Sequence, residues 1–253
     1  MRETWVNLNG VWECAFTASP DRPTSYDGPI VVPFSPEAPL SGVDRQLQPH
    51  EWLWYRRTFT APEAPPGGRV LLHFGAVDQS CTVWVNGREV GAHTGGYLPF
   101  SFDVTEHLGD TATDVLEVRV RDLSETGVHA RGKQRLDRGT IWYTAQSGIW
   151  QTVWLEPVPA TYVERVLLVP HLDSGSLEVT VHAHGFEAVA GAPSSTTVVV
   201  STGGRVVGEA VAPPGEPVVV NLSEVRPWTP DDPHLYDVEV RMGEDRVTSY
   251  AGL

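Results

Sequence analysis

Between Arg131 and Trp150 the chain gathers indole, phenol, amide, hydroxyl and charged groups in one run, Arg-Gly-Lys-Gln-Arg-Leu-Asp-Arg-Gly-Thr-Ile-Trp-Tyr-Thr-Ala-Gln-Ser-Gly-Ile-Trp. The run lacks strand alternation. A long polar loop carrying Trp142 and Tyr143 is unusual unless a partner covers it or a ligand meets it. Aromatic rings with amides nearby suit sugars, whose C–H faces stack on rings while their hydroxyls need fixed donors and acceptors. Elsewhere the chemistry is sparse. His182 and His184 stand at strand spacing, share a face and have the geometry to chelate, although the solvated outer face of a strand is the simpler reading. Cys14 and Cys81 sit in apolar strand-like contexts and read as buried thiols, with an inter-strand disulfide unsupported. The familiar signatures of hydrolases, metalloproteases, nucleotide binders and thiol redox proteins are all missing.

The elements that must position these groups are strands. In Val115–Arg121, Leu116, Val118 and Val120 face one way and Glu117, Arg119 and Arg121 the other, the period of a half-buried strand. Leu177–His182 and Val238–Met242 repeat it, and 69–74 and 81–85 read likewise. Asn86-Gly87 after Val85 predicts a two-residue hairpin turn, because both residues tolerate positive φ. Of the rings in Trp52–Phe59, Trp54 and Phe59 are assigned to the sandwich core. No long amphipathic helical stripe occurs.

The chain has 253 residues, 24 glycines and 21 prolines, a composition rich in turns. Length and 41% hydrophobic content suit one large or two ordinary globular domains. A net charge of −14 and a single lysine, Lys133, argue against nucleic acid and anionic membrane surfaces as partners. No apolar run is long enough to span a bilayer. No apolar leader opens the sequence, which favours a cytoplasmic location. Eight of the nine tryptophans precede Pro157-Val158-Pro159; beyond it the sequence turns Val-rich. We therefore expect an all-β chain with a large sandwich over 1–159 and an immunoglobulin-sized one over 160–253.

Several segments resemble glycoside hydrolase family 2, the β-galactosidases, β-glucuronidases and β-mannosidases. Leu8-Asn9-Gly10-Val11-Trp12 is similar to that family's first strand, and 54–59 to its aromatic-Tyr-Arg-Arg-x-Phe strand. The most specific match is 83–105, Val-Trp-Val-Asn-Gly through Gly-Gly-Tyr-Leu-Pro-Phe to Asp-Val-Thr. Residues 147–156 resemble the strand closing the first domain, and Pro227–Tyr236 the end of the second.

The resemblance implies a jelly-roll β-sandwich, then an immunoglobulin-like β-sandwich, then a TIM barrel bearing two catalytic glutamates. At 253 residues the barrel is expected to be absent, so no residue here is assigned a catalytic role. The resemblance likewise implies no metal or cofactor for this region. The implied partners are the C-terminal catalytic barrel, a carbohydrate substrate and a possible homo-oligomer. In family members an aspartate shortly before the Gly-Ile pair touches the sugar. An ungapped count places Trp142 there, with Asp137 the nearest aspartate. Gln134, Asp137, Trp142 and Tyr143 are accordingly expected to line the edge of a sugar subsite. The rival expectations are a stand-alone carbohydrate-binding module and a purely structural spacer.

Overall fold

The computed structural model describes residues 1–109, 112–186 and 193–253. Strands dominate it, and the only helices among these residues are three short 3-10 turns. Close contacts divide the chain into two compact units. One comprises residues 5–63 and 70–157; the other comprises 1–4, 64–69 and 158–253.

The first unit is built on a six-stranded sheet, ordered Gly28–Val32, Gly10–Thr17, Trp52–Phe59, Asp114–Arg121, Ser80–Val85, Arg88–Thr94. Each neighbouring pair is antiparallel. A second sheet orders Val6–Asn7, Val153–Val158, Arg69–Phe74 and Phe100–Asp103. The alternation works as the sequence implies: Leu116, Val118 and Val120 are fully buried, and so are Leu53 and Tyr55 opposite them. The Asn86-Gly87 turn has φ 52° and 77°. Asn86 does more than turn the chain. Its Nδ2 donates to Asp114 (2.6 Å) and its Oδ1 accepts from Val115 N (3.0 Å), tying the hairpin to the central strand.

Trp54 and Phe59 are both buried, as expected, but register puts them on opposite faces of the sheet. Phe59 lies in the core, but Trp54 pairs with Arg119 on the opposite face. It is still only 2% exposed, stacked on Trp84 at 5.2 Å and covered by the Arg119 guanidinium, which also lies 4.8 Å from Trp52. Cation–π packing thus helps to bury the Trp54 ring on that face. Glu117 on that face is buried as well, bridged by Arg22 and Tyr26.

The second unit packs a three-stranded sheet (Tyr162–His171, Ser176–His184, Pro217–Asn221) and a four-stranded sheet (Arg205–Ala212, Thr196–Thr202, Tyr236–Met242, Asp245–Ala251) around one core. Leu177, Val179, Val198, Val200, Tyr236, Val238 and Val240 fill it, each worth about 1.5–3 kcal/mol of burial for a Val or Leu side chain. Tyr236 carries a polar handle inward; its hydroxyl accepts from Arg226 N (2.6 Å). Arg2 grips Asp245 with two bonds (2.7 and 2.8 Å), which joins residues 1–4 to this unit. His184 stacks on Tyr162 at 4.8 Å. Both cysteines are free and buried, and burial pushes their thiols up to about 11 (Cys14) and about 12 (Cys81), away from reactive thiolates.

Candidate functional site

The loop singled out in the sequence is held in place from beneath. Glu37, buried, accepts from Ser147 N (3.1 Å), Ser147 Oγ (2.7 Å), Leu47 N (3.0 Å) and Gln46 Nε2 (3.1 Å). Gln46 Nε2 also donates to Ala145 O (2.9 Å). Gly148 and Ile149 pair with Asp78 and Val77 as a short antiparallel ladder, and Ile149 N donates to the Tyr55 hydroxyl (3.3 Å). At Gly148 only glycine fits: φ is 78°, and an added Cβ would stand 2.1 Å from the Tyr55 oxygen. Burial lifts the Glu37 carboxyl to about 6 even against its donors.

On this footing the loop folds back on itself. Gln134 and Tyr143 are partners in a two-residue parallel ladder, and Tyr143 N donates to Lys133 O (2.9 Å). The Gln134 side-chain Oε1 accepts from Gln146 N (2.9 Å). The Trp142 ring is half-buried under the Arg135 guanidinium, 4.1 Å from the ring centre. Tyr143 is 68% exposed. So Gln134, Trp142 and Tyr143 come together. Asp137 is exposed, between Leu136, whose N–H donates to Glu125 (2.8 Å), and Arg138, which donates to Thr144 Oγ1 (2.8 Å). A cavity of about 270 Å³ beside it is lined by Glu37, Asp44, Gln46, Leu136 and Arg138.

A second group was missed in the sequence. Asp78 is buried directly beneath Gly96, where an added Cβ would meet its Oδ1 at 2.3 Å. Tyr97 follows, 46% exposed, its ring meeting Trp150 edge-on at 6.2 Å while the Trp150 indole N–H donates to Gly96 O (2.8 Å). Asp122 accepts from Ser124 N (2.7 Å) and lies 3.4 Å from His129 Nε2. Burial pushes Asp78 up to about 7, helped by the negative charges of Asp122 and Glu37. Burial, then Asp78 and Asp122, raise the Tyr97 hydroxyl too. Two sequence signals pointed here: Asp78 is an acid in the apolar approach Ala76-Val77 to a strand, and Gly95-Gly96 marks a close approach. Among the described residues no three His, Cys, Asp or Glu side chains converge to hold a metal ion.

Residues 23–159 match the sugar binding domain of glycosyl hydrolases family 2, and residues 161–253 match a second model of glycosyl hydrolases family 2. The chain belongs to glycosyl hydrolases family 2. It is 30% identical over 200 residues to a β-galactosidase of Thermoanaerobacter pseudethanolicus, covering 75% of this chain and 26% of that one. It is 26% identical over 229 residues to the β-glucuronidase of Canis lupus familiaris, covering 79% and 34%. The solved β-glucuronidase of Faecalibacterium prausnitzii superposes with a TM-score of 0.75 at 25% identity, covering 100% of this chain and 47% of that one. The chain therefore spans between about a quarter and a half of the length of these relatives, and what it covers is their N-terminal domains. The all-β sandwich architecture expected from the sequence fits the part of these relatives that the chain covers.

Proposed function

We propose that this chain is the non-catalytic N-terminal region of a retaining β-glycosidase, with a jelly-roll sugar-binding domain over 1–159 and an immunoglobulin-like domain over 160–253. In this reading the two glutamates that protonate the leaving group and attack the anomeric carbon belong to a C-terminal barrel outside these residues. The loop from Arg131 to Trp150 shapes the edge of that barrel's sugar pocket, with Gln134, Asp137, Trp142 and Tyr143 facing the substrate. The observation that carries this is the loop itself: a polar and aromatic segment anchored from below by Glu37 and Tyr55 yet exposing Tyr143. A connector has no need of so rigid a footing beneath an open ring.

Two measurements test it. The 253-residue chain incubated with chromogenic β-glycosides is expected to show no turnover above background; sustained turnover overturns the non-catalytic reading. In the intact enzyme, Trp142→Ala is expected to raise KM about 10-fold, the effect of roughly 1.4 kcal/mol, with a smaller change in kcat. Unchanged kinetics would favour a purely structural spacer.

A further inference from the structure

The neighbouring strands Gly10–Thr17 and Trp52–Phe59 run together only part of the way. Their pairing extends from Thr17 and Trp52 to Glu13 and Arg56, and stops there. Beyond that point Gly10, Val11 and Trp12 stay on the edge strand Gly28–Val32, while Arg57, Thr58 and Phe59 stay on Asp114–Arg121. A cavity of about 400 Å³ is lined from both sides of the gap. Its walls include Val11, Trp12, Glu13, Pro29, Arg56 and Arg57. Cavities of this size hold small organic ligands.

The Arg57 guanidinium reaches across to the parted strand. Its Nη1 donates to Asn9 O (3.1 Å) and, at 3.5 Å, to Val11 O, and its Cζ lies 5.8 Å from the Trp12 ring centre. Both acceptors are neutral carbonyls. Among the described residues no carboxylate pairs with Arg57, and its Nε and Nη2 donate to nothing. Arg56 shares one ion pair with Glu13 (2.8 Å). No lysine lines the cavity. The acids nearby are engaged: Glu117, across from Arg56, by Arg22 and Tyr26, Asp114 by Asn86 and Gly109 N, and Asp27 by Phe16 N. Two guanidiniums against one carboxylate leave one positive charge uncompensated in the wall, in a chain of net charge −14.

A guanidinium with Nε and Nη2 both open matches a carboxylate, which accepts from the two at once. The rest of the wall selects the body of the ligand. Val11, 66% exposed, and Pro29 offer an aliphatic surface that gains by being covered. Glu13 limits how much negative charge the cavity takes.

We propose that this cleft binds small organic carboxylates with a compact apolar body, the carboxylate paired with Arg57 and the body packed on Val11 and Pro29. The proposal does not rest on the sugar-pocket reading of the aromatic loop.

The test is an NMR titration of the isotopically labelled 253-residue chain at about pH 7 and constant ionic strength, read at the Arg57 Nε–H, the Trp12 indole N–H and the Val11 and Thr58 amides. Cyclohexanecarboxylate, added to about 50 mM, is expected to shift these signals saturably with a millimolar dissociation constant. Cyclohexanecarboxamide, which has the body without the charge, and inorganic phosphate, which has charge without the body, are expected to leave them in place. Val11→Glu puts a negative charge on an exposed part of the wall and is expected to weaken binding at least about 10-fold. Arg57→Lys keeps the charge, loses the fork and is expected to weaken it as much; should that variant fail to fold, Val11→Glu decides the matter. Glu13→Gln is expected to tighten binding at least about 3-fold. Absence of a saturable shift, an equal response to the carboxamide or to phosphate, indifference to Val11→Glu, or weaker binding by Glu13→Gln overturns the proposal and leaves Arg57 as a strap on the first strand.

Discussion

Glu37 and Asp78 are two buried carboxyls of the same unit, both raised in pKa by burial, and they are built in opposite ways. Glu37 is saturated: three backbone or hydroxyl donors and one amide converge on it, and through Ser147 it fixes the foot of the aromatic loop. Asp78 is bare. The difference separates a carboxyl that the fold needs from one that it tolerates. A saturated acid repays its desolvation through bonds that would be orphaned without it; a bare one does not.

The comparison is broken most directly by truncation. Glu37→Ala leaves Ser147 N, Ser147 Oγ and Leu47 N without their acceptor in a buried site, and is expected to destabilise by about 3–5 kcal/mol in urea denaturation. Asp78→Leu under the same conditions is expected to fall within about 1 kcal/mol of the parent chain or to exceed it. Similar losses in the two variants would erase the distinction.

The next largest effect is pH. Both folded-state values lie above the ordinary ones, about 7 against 3.8 for Asp78 and about 6 against 4.5 for Glu37. The folded chain therefore holds protons that the unfolded chain has released. The stability these two groups contribute is complete below their unfolded values and is lost as pH rises through the folded ones, across about pH 4 to 7. For Asp78 the loss is at most about 4 kcal/mol. Asp78→Asn is expected to flatten most of this slope, measured as the urea midpoint against pH; an unchanged slope would mean that Asp78 is not the buried, bare acid described.

A finer probe is Tyr55→Phe. It removes the acceptor for Ile149 N while keeping the ring, and is expected to destabilise by about 1–2 kcal/mol. Combined with Glu37→Ala it should deviate from additivity, since both hold the 147–149 segment, whereas combination with Asp78→Leu should be closer to additive.

Period-two alternation was enough to place the strands at 69–74, 81–85, 115–121, 177–182 and 238–242, because a side chain's face in a strand depends on its position in the local sequence. The hairpin at Asn86-Gly87 was legible for the same reason, since two residues of positive φ are a local requirement. The exposure of Tyr143 also followed from a local cue, a ring in a run without alternation. What alternation did not reveal was the burial of Glu117, nor that Trp54 is buried on the outer face. That depended on Arg119, Arg22 and Tyr26, which reach them from other segments.

The same division holds at the site. The sequence by itself determined the β architecture, the position of the aromatic loop and the acidity of the whole chain, all properties of residue type and spacing. Only the tertiary structure decided which carboxyls are satisfied. Glu37 meets Ser147 across 110 positions of chain, while the Asp78 side chain, lying against Gly96, has no hydrogen-bond or ion-pair partner among the described residues, because partners for a buried acid are supplied by whichever segments the fold brings alongside it.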